Sequence, residues 1–324
     1  MKIKSVVNWV ACLAVLSGSA AAHAQNYPTH PIKVVVPFPP GGGTDTVARA
    51  IGPRLSARLG QPVIVENKPG AGTIIGAEAV AKAPGDGYTL LLSGSTTYSV
   101  LPALKPALPY DPLRSFSLLA IVAKAPLVLV ASPETAAKTL AELIELAKAR
   151  PGIYTYATFG AGSGPHLAGE LLSHETGMRL MPIPYKGSSQ AIQAVLANEI
   201  NIAVESVATA APHIQAGKLK PLAVFSEQRS SMLPDVPTLA ELKYPRATFD
   251  AWYGIAAPAG TPQPVMQKLA TEIGAIMKLP EIRSGLRNSA MEATFIGPDQ
   301  FREKIEAEVT AYTAVAKRAK ISAE

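Results

Sequence analysis

Residues 32–45 read IKVVVPFPPGGGTD, a β-branched run followed by three adjacent glycines. Ile32 to Val36 is read as a strand buried on both faces. Beyond the glycines, Val47, Ile51, Leu55 and Leu59 recur every fourth residue and give a helix with one core face. Thr44 or Asp45 is expected at its N-cap and Gly60 at its end. Pro53 falls inside this pattern and should kink the helix near Arg49 or split it. A glycine loop between a strand and a helix lies where open α/β sheets bind ligands. Three bare residues cost backbone entropy, so exposed backbone there asks for a use. Helix N-terminal amides favour an anion. A P-loop would need Gly-Lys-Ser/Thr, and no lysine follows these glycines. A dinucleotide fingerprint counted from Gly41 would need glycine where Thr46 stands. A tight turn with no ligand remains open at this point.

The alternation continues outward. A strand at 62–67, the glycine-rich turn KPGAGT (68–73), a helix at 74–82 and a strand at 88–95 follow. After the irregular LPYDP (108–112) come two apolar runs, LLAIVA and LVLVAS, and then a helix from Pro133 to Ala149. A second alternation has strands at 154–158, 178–185, 200–206 and 219–225, with helices at 166–176, 188–198 and 208–216 between them. WYGIAAP (252–258) reads as a strand returning the chain to its first half, and helices at 264–277 and 298–320 close it. Strands separated by helices predict an α/β protein of two similar lobes, each a mostly parallel sheet flanked by helices.

At the N-terminus, Lys2 and Lys4, an apolar stretch and Ala22-His23-Ala24 form an export-signal pattern, with cleavage expected after Ala24. Cys12, the single cysteine, lies inside that leader, so the mature chain is stabilised by its core and not by disulfides. The net charge of +6 falls to +4 when Lys2 and Lys4 leave. This mild excess has no basic block or interleaved aromatics, so nucleic-acid binding is disfavoured and a small anionic ligand suits the balance.

Three further loops carry polar groups at strand ends. TFGAGSGPH (158–166) repeats the glycine loop between a strand and a helix, with Thr158 and Ser163 adding hydroxyls. A nucleophile elbow around Ser163 would need glycines where Ala161 and Pro165 stand, and no acid is evident to orient His166. SGSTTY (93–98) offers Ser93, Ser95 and Thr96, as helix caps or as donors to a carboxylate. Glu205 and Ser206 end another strand, where Glu205 either meets a ligand amine or hydroxyl or pairs with a lysine. The histidines are scattered without metal-ligand spacing, and no metal or cofactor is expected.

With these loops placed, the chain resembles the Bug-type substrate-binding proteins of tripartite tricarboxylate transporters. The likeness rests on YP-x-x-PIK-x-VVPF-x-PGG-x-x-D (27–45), VENKPGAG (65–72), APGDGYTLL (83–91) and LPYDP. It continues through GSGPHL (162–167), PYKG (184–187), AGKL (216–219), LPDVPT (233–238) and APAGTP (257–262). The resemblance implies a two-lobed periplasmic binding protein of the flytrap type, not an enzyme, that delivers a small carboxylate to membrane permease subunits. A di- or tricarboxylate, an aromatic carboxylate and an acidic amino acid all fit, and a monomer is expected. It implies lobes at 25–125 with 250–324 and at 126–249, closing over the ligand. Phe38, Pro40, Gly41, Gly42, Thr44 and Asp45 would face the ligand from one lobe. Thr158, Gly160, Ala161, Ser163, Gly164 and His166 would face it from the other. Ser93, Ser95, Thr96, Glu205 and Ser206 complete the expected site. Two departures bear on the ligand's far end: Leu101-Pro102 replaces an Asn-Pro pair, and Glu205 stands where the family has Asp. An exported sensor subunit for a membrane kinase and a Ser/His hydrolase are the alternative readings.

Overall fold

The computed structural model describes residues 27–105, 107–160, 163–185 and 187–319. The expected leader, with Cys12, lies outside them. Strand β1 (Ile32–Val36) pairs in parallel with β2 (Val63–Asn67) and β3 (Thr89–Gly94). Helix α1 (Gly43–Leu59) joins the first two, and α2 (Ile74–Ala81) leads towards the third. In the other half, β5 (Thr155–Thr158) pairs in parallel with β6 (Met181–Pro184) and β7 (Ile202–Ser206). The crossovers here are α5 (Gly164–Thr176) and α6 (Ser188–Leu196), and α7 (Val207–Gln215) leads into β8 (Lys220–Val224).

The two apolar runs LLAIVA and LVLVAS are not separate strands but one, β4 (Phe116–Ala131), of 16 residues. It pairs antiparallel with β9 (Asp250–Pro258) from Phe116 to Pro126, then changes partner. From Leu127 it pairs with β7, and from Val128 also with β8. Pro126 stands on the last rung of the β9 ladder, where its missing N–H interrupts neither pairing. The sheet is therefore mixed: two parallel sets of three strands are joined through antiparallel strands, in the order β2-β1-β3-β9-β4-β7-β5-β6.

Other expectations need correction. Helix α1 starts at Gly43 with Gly42 as its N-cap, not Thr44 or Asp45, because Asp45 folds back onto the preceding loop. It also runs unbroken through Pro53. The residue before a proline normally resists helical angles because its Cβ meets the ring, and Gly52 has no Cβ. The helix expected from Pro133 is α4 (Leu140–Ala149), starting where Thr139 Oγ1 accepts the Glu142 N–H at 3.2 Å. Four elements had no clear sequence signature: the short helix α3 (Leu101–Leu104), two of whose residues are buried, and α9 (Pro280–Asn288), which buries only Ile282 and Leu286. The other two are β10 (Glu292–Ile296) on the β4 edge and a π-helical turn at Thr96–Val100.

Helix α8 (Gln263–Ile276) packs with α1 over β1, and α10 (Pro298–Ala319) crosses both halves. Phe301 and Ile305 of α10 enter one core, while Tyr312, Val315 and Ala316 enter the other. The helix is pinned midway, where Trp252 Nε1 donates to both Glu308 oxygens at 3.0 and 3.1 Å. The indole stacks on Tyr98 at 5.8 Å and meets the edge of Phe301 at 5.3 Å. Gly254 is required beside them, because a Cβ there would lie 2.4 Å from the Phe301 ring. Trp252→Phe keeps an aromatic ring of smaller size and removes the indole donor, leaving Glu308 with Lys304 at 2.8 Å. It should lower stability by about 2 kcal/mol, read as a lowered Tm in thermal unfolding; an unchanged Tm would show that the pin is dispensable.

Candidate functional site

The register of β4 determines where the loops meet. β3 ends at Gly94, which pairs with Tyr253 on β9, and Tyr253 pairs with Ala123 on β4. β7 runs the opposite way and ends at Ser206, paired with Leu127. The C-terminal ends of the two parallel sets thus point at each other, four residues apart along β4 (Ala123 to Leu127), or about 13 Å at 3.3 Å per residue. Loops following β1, β3, β5, β6 and β7 all open into this gap.

The loop after β1 is held by Asp45. Its Oδ2 accepts the Gly41 N–H at 2.9 Å and Arg49 Nε at 2.8 Å, and its Oδ1 accepts Asn67 Nδ2 at 3.0 Å. Asn67 Nδ2 also reaches the Phe38 carbonyl at 3.1 Å. Burial raises the Asp45 pKa, but these donors outweigh it and hold the carboxyl below its ordinary value. Gly41 takes φ +87°, which spares a side chain the strain of the left-handed region. Phe38 is half-buried, Pro40, Gly41 and Gly42 form the exposed rim, and Thr44 is buried. No side chain caps α1. Among the described residues, the amides of Gly42, Gly43 and Thr44 have no partner. Asp45 is therefore a staple inside the loop, and the donors it leaves outward are backbone amides at a positive helix end.

The loop after β5 also carries a positive-φ glycine, but its helix has a side-chain cap. Gly160 takes φ +110° and its carbonyl accepts the Ser163 N–H at 3.2 Å. Thr158 is buried, with Oγ1 3.4 Å from the Gly160 amide. Ser163 caps α5 by accepting the backbone N–H of His166 at 3.4 Å. The Ser163–His166 contact is thus a helix cap, not a nucleophile–imidazole pair. Burial holds the His166 pKa down against the pull of Glu170, so the ring is neutral at neutral pH. Gly164 packs on Phe249, where a Cβ would stand 3.3 Å from the ring. Ala161 lies outside the described residues.

At the end of β3, Ser93 turns inward. Ser93 Oγ lies 2.5 Å from Thr97 Oγ1, which donates to Thr73 Oγ1 at 2.8 Å. Ser95 is buried and Thr96 half-buried where the π-helical turn begins. Leu101, at the first departure from the family pattern, is buried at the start of α3. Glu205 is fully buried. Its Oε1 accepts Ser188 Oγ and the Ser206 amide, both at 2.7 Å, while its Oε2 has no partner among the described residues. Ser206 caps α7 by accepting the Thr209 N–H at 3.2 Å. Burial drives the Glu205 pKa up to about 8 against those hydrogen bonds, so the carboxyl is mostly protonated at neutral pH. No lysine pairs with it among the described residues.

Sequence reasoning missed Tyr253. Its ring lies over Gly94, and its Oη reaches α1 so closely that a Cβ on Gly43 would be 2.2 Å from it. The hydroxyl has no hydrogen-bond partner among the described residues, and burial pushes its pKa up to about 12, so it stays a neutral donor. The third glycine of the PGGG run was the available signal, since glycine at a helix's first residue leaves room for another side chain. No group of three potential metal ligands occurs among the described residues. No described helix is long and apolar enough to cross a membrane.

An α/β fold whose two strand sets end face to face is that of a periplasmic binding protein. Residues 47–320 match the family described as tripartite tricarboxylate transporter family receptor, and the chain belongs to it. The periplasmic binding protein BugD is 33% identical with a TM-score of 0.82, over 91% of this chain and 99% of its own. Rpa4515 of R. palustris, solved with adipate, is 31% identical with a TM-score of 0.84, over 91% of this chain and 99% of its own. MatC of Rhodopseudomonas palustris, solved with bound malate, is 30% identical with a TM-score of 0.81, over 89% of this chain and 99% of its own. The family and these neighbours are solute-binding proteins, not enzymes.

Glu205 has a consequence for stability. Its folded pKa, about 8, lies above the ordinary 4.5, so the folded chain holds the proton longer. That contribution is fully present below pH 4.5 and is lost as pH rises through about 8, at no more than about 1.4 kcal/mol per unit. Glu205→Gln should flatten the fall of Tm across this window; parallel slopes for the two proteins would contradict a buried neutral acid.

Proposed function

We propose that this chain is a periplasmic receptor that captures a small carboxylate between two lobes and passes it to permease subunits of a tripartite tricarboxylate-type transporter. The lobes are residues 25–125 with 250–324, and 126–249, and the protein acts as a monomer after loss of its leader. The observation that carries this reading is the pair of glycine loops at opposed strand ends, with the amides of Gly42, Gly43 and Thr44 left unpartnered. Malate and adipate in the relatives support a carboxylate as the ligand class. The mild positive charge and the leader pattern suit an exported protein that collects anions.

The energetics need no catalytic group. Each charge-assisted hydrogen bond is worth roughly 1.5–3 kcal/mol net. Micromolar affinity needs about 8 kcal/mol, so three to five such bonds with some closure burial suffice. Partner exchange on β4 gives the lobes a natural bending line, and closure would exclude water and strengthen each bond.

A thermal-shift screen tests the class: malate, adipate and related carboxylates should raise Tm, and a response to neutral sugars alone would refute the proposal. Within the site, Tyr253→Phe should weaken the carboxylate that binds by roughly tenfold, the worth of one such hydrogen bond. Its Tm without ligand should barely change. Undiminished affinity measured by calorimetry would remove Tyr253 from the site.

A further inference from the structure

LPYDP (108–112) lies outside the cleft, yet its tyrosine reaches back to the turn that follows β3. Asp111 Oδ1 accepts the amides of Leu113 and Arg114 at 2.8 and 2.9 Å, and Ser115 Oγ accepts the Asp111 amide at 3.0 Å, which closes the segment on itself. The buried Tyr110 ring meets the edge of Phe116 at 5.8 Å, and its hydroxyl donates to the Thr97 carbonyl at 2.9 Å. Thr97 stands inside the π-helical turn and is fully buried, so water does not reach that carbonyl. The turn's own backbone does not serve it either. In a π register the donor would be the amide five residues on, but position 102 is proline and has no N–H. In an α register the donor would be the Leu101 amide, which here goes to the Thr96 carbonyl instead.

From this we infer that Tyr110 is a positioning residue for the cleft: its hydroxyl holds the turn after β3 in the π register, and that register sets how Ser95 and Thr96 meet the ligand. The inference rests on the carboxylate-receptor reading and deepens it. Without the phenol, the buried Thr97 carbonyl regains a backbone donor when the Leu101 amide slips back by one residue, into an α register. Such a slip displaces the chain on one side by about 1.5 Å and turns it by about 100°. The following side is fixed, because Val100 and Leu104 pack in the core of the second half with Leu127 and Tyr312. On the preceding side, Thr97 Oγ1 is tied to Ser93 and to Thr73, itself held at φ +102°, where a β-branched residue is strained. Ser95 and Thr96 lie between Ser93 and Thr97, and their hydroxyls have no partner among the described residues. They take up the change of register.

A compensating pair of substitutions tests it, by calorimetry with malate and adipate on the mature chain. Tyr110→Phe should weaken the acid that binds by about tenfold, the worth of one hydrogen bond to the ligand. Pro102→Ala restores an N–H at the position that serves the Thr97 carbonyl in the π register, at a half-buried site that accepts the smaller side chain. The double variant should therefore recover most of the affinity, which a loss of packing around Tyr110 would not allow. Undiminished affinity in Tyr110→Phe, or a loss that Pro102→Ala leaves in place, would overturn the inference while the receptor reading stands. Failure of the unsubstituted chain to bind either acid would overturn both.

Discussion

The site depends on the placement of one carboxylate. Asp45 sits in the first turn of a helix, where an acid is favoured by the dipole, yet it leaves the first amides of its helix free. It reaches back to the Gly41 amide and sideways to Arg49 and Asn67, tying the loop after β1 to the end of β2. A glycine run is entropically the weakest segment available for building a rigid cradle. The Asp45 network supplies rigidity from beneath, while the upper surface stays bare backbone. Replacing these glycines with side chains would cover the amides, and removing Asp45 would release the loop that presents them.

The second constraint is the partner exchange along β4. An open parallel sheet places its ligand-binding loops along one edge, with nothing opposite. Here a 16-residue strand serves one set of neighbours up to Pro126 and another from Leu127, so two such edges are turned towards each other. Helix α10 spans the same junction, with Phe301 in one core and Tyr312 in the other, and the Trp252–Glu308 contact fixes it midway. Tyr253 is the next residue along β9, so the strand that pins the strap also carries a phenol to the first glycine loop. Residues 252 and 253 of one strand thus serve the junction and the first glycine loop in turn.

Much of this was legible in the sequence because the decisive signals are local. IKVVV before PGGG, and YTYAT before FGAGSG, announce strand, bare loop and helix without tertiary information. The two alternating sets of strands and helices follow from those patterns, and so does the failure of the phosphate motifs to match. What escaped was set by distant partners. Asp45 reads as an N-cap because nothing nearby in sequence says that Gly41 and Asn67 will reach it first. LLAIVA and LVLVAS read as two strands because Lys124 and Pro126 interrupt the run, and only the exchange of partners makes that interruption harmless. Glu205 looks like an available acid at a strand end, and only Ser188 and complete burial reveal it as sealed. Tyr253 looks like core in a hydrophobic strand, because the room for its hydroxyl is made by Gly43 and Gly94, far away in sequence.

The central claim is that one anion is held simultaneously by the helix N-terminal loops of both halves. Amide chemical shifts followed by NMR during titration with the carboxylate that binds test this most directly. The signals of Gly42 and Gly43 on one side, and of Gly160 and Gly164 on the other, should move along a single saturation curve with the same midpoint. Shifts confined to one loop, or different midpoints for the two, would contradict a shared anion and with it the account of the cleft.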